Sequence, residues 1–268
     1  MESKDDSFEP LYDKTKIPKY EDLDYSKVTK SDDFNYVYRP GNDTIHLLDT
    51  LKLDFGVICE RNPAICIEIG SGSGFIINSF AKWYKDDQSS PKLNPPLMLA
   101  TDINYDANET TSKLSEYYKT NVDAIRTDIT SGLNTRLKGQ VDLIICNPPY
   151  VPTSEEELTE AFDELKLQNE CLEKDMVMIR RKKANLIGFS YAGGEKGTKI
   201  IYRIVEEAKD LLSPGGLFYL LLIEENEPKK IITDCFPTTG YSCKLILKER
   251  YKNELIYTFR IRKLATES

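Results

Sequence analysis

Ile65-Cys66-Ile67-Glu68-Ile69-Gly70-Ser71-Gly72-Ser73-Gly74 joins a short apolar, β-branched run to three alternating glycines. The run opens at Ala64, behind Pro63, and fits a strand buried on both faces. Glycines between a strand and a helix let the backbone approach a ligand without an intervening Cβ, and they expose the N–H groups that begin the helix. That helix is predicted to run through Phe75, Ile76, Phe80 and Trp83. The spacing Glu68-x-Gly70-x-Gly72-x-Gly74 ends one residue earlier than the dinucleotide pattern. A carboxylate just ahead of the first glycine repels a pyrophosphate but suits a cofactor that carries an ammonium or sulfonium.

Outward from this stretch the chain alternates. Leu97 to Thr101 is a second predicted strand, ending at Asp102; Tyr105 to Tyr118 reads as a helix; Val122 to Arg126 is a third strand, ending near Asp128. Val141 to Cys146 is a fourth strand and delivers Asn147. This alternation predicts an α/β fold with a doubly wound parallel sheet and right-handed crossovers. Asp102 is placed to meet a ribose diol and Asp128 to accept from an adenine amine. With Glu68 they put three acids at the ends of successive strands, beside the crevice where such sheets bind ligands. Further along, a helix from Ile200 to Leu212 closes at Ser213-Pro214-Gly215-Gly216 and leads into a strand, Leu217 to Ile223. A helix at Pro228 to Cys235 precedes a terminal antiparallel pair, Ser242 to Leu247 and Leu255 to Ile261, around Asn253. Ahead of the sheet, Ile45, Leu47, Leu48 and Leu51 mark a helix capped by Asn42 or Asp43.

Asn147-Pro148-Pro149-Tyr150 is stiff, because each proline fixes φ and removes a backbone donor. The Asn147 side-chain oxygen and the Pro148 carbonyl can each accept one hydrogen of a target NH2, which aims its nitrogen at an electrophile above the glycine loop. Tyr150 offers a flat face to a planar amide or base. No titratable base is required, since positioning supplies much of the barrier reduction. His46, the sole histidine, sits on an early amphipathic helix and reads as a packing residue.

Composition bounds the rest. With 36 Lys+Arg against 44 Asp+Glu the formal charge is −8, which disfavours nucleic acid as a partner. The six cysteines have no metal-ligand spacing, so no metal is expected; they read as reduced thiols of a cytoplasmic protein, with a nuclear pool open. No apolar stretch is long enough to span a bilayer, and Met1-Glu2-Ser3-Lys4-Asp5-Asp6 lacks a signal peptide's apolar region. Residues 1–33 are polar and without periodicity, and are expected to be a mobile arm with Tyr12, Tyr20 and Tyr25 as docking points. Residues 34–268 are then a single domain with a charge-split helical insertion at about 153–190, acidic at Glu155-Glu156-Glu157 and basic at Arg180-Arg181-Lys182-Lys183.

The chain resembles the class I S-adenosylmethionine-dependent methyltransferases with an N-P-P-Y motif, and among them the eukaryotic release-factor glutamine methyltransferases related to HemK. The resemblance rests on Val37-Tyr38-x-Pro40-x-x-Asp43-Thr44, the Glu68 to Gly74 loop, Thr101-Asp102-Ile103-Asn104, Thr127-Asp128, Asn147 to Val151, Ala192-Gly193-Gly194 and the run from Asp210 to Leu220. It implies a Rossmann-like, seven-stranded, mostly parallel sheet ending in an antiparallel pair. It also implies that Thr44, Glu68, Gly70, Gly72, Asp102, Ile103, Asp128, Ile129 and Asn147 hold S-adenosylmethionine, while Asn147, Pro148 and Tyr150 hold a glutamine side chain. That glutamine would lie in the Gly-Gly-Gln loop of a peptide-chain release factor and be methylated at N5. A small zinc-binding activator protein, forming a heterodimer, would add strands at the Val122 to Arg126 edge. The family carries acids where this chain has Arg39 and Asn42, and a shorter segment between Val151 and Ala192. Methylation of adenine N6 in DNA, methylation of protein lysine, and an inactive scaffold are the alternatives.

Overall fold

The computed structural model describes residues 8–30, 34, 36–87, 95–172, 187–252 and 254–265, with side chains in the helix over 155–172 described through residue 163. Asn253 and the basic run from Arg180 to Lys183 lie outside the described residues. Seven strands form one sheet: β1 (Ile65–Ile69), β2 (Leu97–Asp102), β3 (Val122–Arg126), β4 (Val141–Cys146), β5 (Leu212–Ile223), β6 (Tyr241–Tyr251) and β7 (Glu254–Lys263), in the order β3-β2-β1-β4-β5-β7-β6. The first five are mutually parallel, and β7 pairs antiparallel with β5 and β6. The fold class read from the sequence is the one observed.

From β1 the chain lays β2 and β3 to one side and then returns to place β4 on the other, which opens a crevice at the carboxyl ends of β1 and β4. Register makes this concrete. Ile69 lies opposite both Thr101 and Cys146, so Gly70, Asp102 and Asn147 leave the sheet at one level. The helices are α1 (Asn42–Leu53), α2 (Phe55–Arg61), α3 (Phe75–Asp86), α4 (Tyr105–Tyr118), α5 (Glu155–Leu172), α6 (Lys199–Leu211) and α7 (Pro228–Cys235). On α6, Ile200, Ile201, Ile204, Val205, Ala208 and Leu211 are all buried. Burial of each large aliphatic side chain in such a stripe contributes about 1.5–3 kcal/mol, which fixes the helix against the sheet. No helix among the described residues is long and apolar enough to cross a membrane.

Four local differences from the sequence reading have physical causes. The cap of α1 is Gly41, whose N–H donates to Thr44 Oγ1 at 3.2 Å; Asn42 and Asp43 fall in the first turn, and the Asp43 carboxylate is committed elsewhere. β5 begins at Leu212 rather than Leu217, with Ser213 to Gly216 bulged out between the pairs Val141–Leu212 and Leu143–Leu217. α2 follows a break at Asp54 and buries Phe55 and Ile58, too short a stretch to show a period. The largest correction concerns the arm, whose residues 8–30 are seated on the domain. Leu11 and Tyr12 donate to the Leu245 and Ile246 carbonyls at the irregular edge of β6. Tyr20 packs between Phe55 and Trp83 at 5.1 and 5.4 Å, Tyr25 meets Phe75 edge-on at 5.4 Å, and Leu23 is 5% exposed. Lys52 reaches Asp22 at 2.9 Å, and Trp83 Nε1 donates to the Glu21 carbonyl. The arm has no periodicity because its apolar residues meet helices α2 and α3 singly rather than as one face.

Candidate active site

Each glycine of the loop does a different job. Gly74 caps α3 with φ of 72°, and a Cβ there would meet Thr111 Oγ1 at 2.5 Å, so this glycine lets α4 pack against the loop. The Gly72 N–H donates to Asp102 Oδ2 at 2.8 Å, which ties the loop to the end of β2. At Gly70 a Cβ would meet nothing within 4 Å: the backbone here fronts the cavity directly.

Glu68 is 1% exposed and its Oε2 accepts from the Ile77 N–H at 3.0 Å, in the first turn of α3. The carboxylate therefore satisfies a helix N-terminus as well as facing the cavity. Burial holds its carboxyl well above the usual range, opposed by the Ile77 hydrogen bond and reinforced by Asp102. Asp102 is likewise raised by burial, although Asn104, Gly72 and Ile103 N–H groups pull it back. Its Oδ1 accepts from Asn104 N at 2.8 Å and its Oδ2 from Gly72 N at 2.8 Å. Glu68, buried, and Asp102, partly buried, are carboxylates beside an open glycine, an acceptor set that fits a cationic, diol-bearing ligand, so the residues present fit S-adenosylmethionine.

Asn147 emerges from β4 against α1. Its Nδ2 donates to Asp43 Oδ2 at 2.7 Å, and the Tyr38 hydroxyl donates to the same carboxylate at 3.1 and 3.2 Å. Asp43 is an acceptor only, so it fixes which way the Asn147 amide faces. Asn147 Oδ1 is then left buried with no hydrogen-bond partner among the described residues. A buried acceptor without a donor costs about 1–3 kcal/mol, a cost that an incoming N–H would relieve. Tyr150 is 7% exposed, its hydroxyl pushed up by burial first and by the Asp43 charge next. Its carbonyl accepts from Asn226 Nδ2 at 2.9 Å, while the same nitrogen donates to the Lys196 carbonyl and Oδ1 takes the Ile223 N–H. Beyond it, Val151 N donates to the Tyr191 carbonyl and Gly193 N to the Val151 carbonyl, so Ala192-Gly193-Gly194 splints the Asn-Pro-Pro-Tyr segment.

All the residues expected from sequence line one cavity: Thr44, Glu68, Gly70, Gly72, Asp102, Ile103, Asp128, Ile129, Asn147, Pro148 and Tyr150. Asp128, expected to meet an adenine amine, is also ion-paired to Arg203 Nη2 of α6 at 2.7 Å. On the other side Leu158 and Phe162 of α5, with Phe189 and Tyr191, complete the wall, so the described part of the insertion borders the site. Arg39 lies over the Phe34 ring at 5.4 Å. His46 is fully buried, edge-on to Tyr251 at 5.9 Å, and does not line the cavity. Among the described residues no group of His, Cys, Asp or Glu could hold a metal ion, and Cys59, Cys66, Cys146, Cys235 and Cys243 are free. Sequence reading missed Asp43 as the orienting acid, although the Tyr38-to-Thr44 motif contained it, and missed Asn226 and Arg203, which carry no local signal.

No family model matches the chain. It is 33% identical to mouse methyltransferase HEMK2 over 198 residues, which is 74% of this chain and 77% of that protein. It is 29% identical to the eRF1 methyltransferase catalytic subunit mtq2 of Schizosaccharomyces pombe over 238 residues, 85% of this chain and 90% of that one. Among solved structures, the E. cuniculi Mtq2–Trm112 complex, responsible for methylation of the eRF1 translation termination factor, superposes with a TM-score of 0.52 at 22% identity, covering 85% of this chain and 99% of that one. That last likeness concerns the fold, a methyltransferase sheet of the kind described above. The fold, the acid-lined cavity and the extent of the match together place the chain in the HEMK2 methyltransferase family.

Proposed function

We propose that this enzyme transfers a methyl group from S-adenosylmethionine to the side-chain amide nitrogen of a glutamine, in the Gly-Gly-Gln loop of a peptide-chain release factor. The carrying observation is Asn147 Oδ1, buried and unpartnered while Nδ2 is held by Asp43. An acceptor fixed in this way, with the Pro148 carbonyl beside it on the cavity wall, takes the two hydrogens of a primary amide or amine and leaves its nitrogen facing the glycine-loop side. When bound, S-adenosylmethionine supplies an electrophilic methyl on a sulfonium. Glu68 and Asp102 supply the negative charge that matches its cation and the acceptors that match its hydroxyls, and Gly70 leaves room for close approach.

A planar amide suits this site better than lysine, because a charged ammonium has no free lone pair and must first lose a proton. The formal charge of −8 disfavours DNA. The relatives named for eRF1 methylation and for a complex with Trm112 support a release factor as substrate and a small partner protein. The partner, zinc-binding in this reading, docks on β3, whose outer edge pairs with no strand among the described residues. The reading places the enzyme in the cytoplasm. Incubating the full chain and its partner with labelled donor and release factor tests the proposal: label on the release factor, lost when its Gly-Gly-Gln glutamine is replaced, supports it, and label that survives that replacement overturns it.

A further inference from the structure

The turn after β3 is held in a conformation its own sequence opposes. Ile129 has φ of 51°, in the left-handed region that β-branched residues avoid most strongly. It lies between Asp128, which lines the cavity, and Thr130, which is fully buried. Hydrogen bonds within the turn, Ser131 N to the Asp128 carbonyl and Asn134 N to the Thr130 carbonyl, are joined by a restraint from α6. One oxygen of Glu207, Oε2, accepts from Thr130 N at 2.9 Å, Thr130 Oγ1 at 2.6 Å and Asn134 Nδ2 at 3.2 Å. One turn earlier on the same face, Arg203 holds Asp128 Oδ2 at 2.7 Å and leaves Oδ1 free of that contact. The opposite face of α6 is buried in the core, so both side chains act from a rigid support.

We propose that Glu207, assisted by Arg203, is the positioning residue for the adenosine end of the methyl donor: it keeps the Asp128-Ile129-Thr130 turn strained and in place before the ligand arrives. The proposal rests on the reading that this cavity takes S-adenosylmethionine. Neither residue belongs to the glycine loop or to Asn-Pro-Pro-Tyr, so the clamp acts on donor affinity and not on the transfer step. Glu207 dominates because it engages a buried threonine, whereas the Arg203 pair is half exposed and screened.

The test is calorimetric titration of S-adenosylhomocysteine into the full chain. Without Glu207 the strained turn falls to about a tenth of the population, and apparent affinity falls about tenfold with it. Glu207→Ala is therefore expected to weaken binding about tenfold, Glu207→Gln about threefold because it still accepts from Thr130 N, and Arg203→Ala about twofold. With Ile129→Gly, which adopts the left-handed conformation freely, adding Glu207→Ala is expected to cost less than about threefold more. In turnover, Glu207→Ala raises KM for the donor while kcat at saturating donor stays within about twofold. Variants that lose thermal stability but bind with the unaltered constant, or that lose kcat at unchanged KM, overturn the clamp. Absence of binding by the unaltered protein overturns the donor reading and the clamp together.

Discussion

Replacing Asp43 by alanine removes the acceptor that orients the Asn147 amide. Asp43 is 4% exposed and takes the Asn147 Nδ2 hydrogen at 2.7 Å, a charge-assisted hydrogen bond worth about 1.5–3 kcal/mol. Without it the Asn147 amide has no preference for turning Oδ1 rather than Nδ2 toward the substrate, and the Tyr38 hydroxyl loses its partner as well. At about 1.4 kcal/mol per decade, loss of that hydrogen bond from the reactive arrangement corresponds to a fall of about 10–100-fold in kcat. Affinity for the donor should move by less than about threefold, since the contacts to Glu68 and Asp102 are untouched. Asp43→Asn keeps an acceptor for Asn147 and an amide nitrogen for Tyr38, so it should retain more activity than the alanine variant. Steady-state methyl transfer with saturating donor, beside calorimetry for donor binding, separates the two effects. A folded Asp43→Ala protein with kcat within about twofold of the unaltered enzyme would refute the orienting role.

Other parts of the structure make their own forecasts. Leu23→Ala, in the arm against the core, should lower stability by about 2–3 kcal/mol and Tm by several degrees in a thermal melt, whereas a free arm would leave Tm unchanged. Burial pulls the His46 imidazole down to about 3 from 6.5, so as pH falls through that window the unfolded chain takes a proton that the folded one refuses, and stability falls. Unfolding free energies from urea titrations at pH 7 and pH 5 should differ by about 2 kcal/mol more for the unaltered protein than for His46→Leu; equal differences would contradict the assignment. Glu68 is held above the usual carboxylate range, so its contribution to stability is present below the ordinary value of 4.5 and is lost as pH rises through its folded value. A bound cation lowers that value, so at a pH between the unbound and bound values calorimetry in buffers of different ionisation enthalpy should show proton release on S-adenosylmethionine binding, reduced in Glu68→Gln.

The parallel sheet was legible because β1, β2 and β4 are short continuous apolar runs that end in chemistry-bearing residues, and Gly70, Asp102 and Asn147 each follow such a run directly. What sequence could not supply were contacts made across the fold. Asp43 reads locally as a helix cap, and only the packing of α1 beside β4 reveals that its carboxylate serves Asn147. Asn226 and Glu207 lie on elements far along the chain from the loops they brace, and nothing in their neighbours marks them. The arm misled for the same reason: Tyr20 and Leu23 are apolar points in a polar tract, and their burial depends on α2 and α3. Glu68 combined both cases, since its cavity-facing role follows from the motif while its hold on the Ile77 N–H does not.

In the proposed reaction Asn147 presents a fixed acceptor to a glutamine amide. Mass spectrometry of the release factor's Gly-Gly-Gln peptide, after incubation with the full chain, its partner and S-adenosylmethionine, tests it most directly. One methyl on the glutamine amide nitrogen with the unaltered enzyme, and none above background with Asn147→Ala, is the predicted result. A methyl on any other residue of that peptide, or undiminished glutamine methylation by Asn147→Ala, would contradict it.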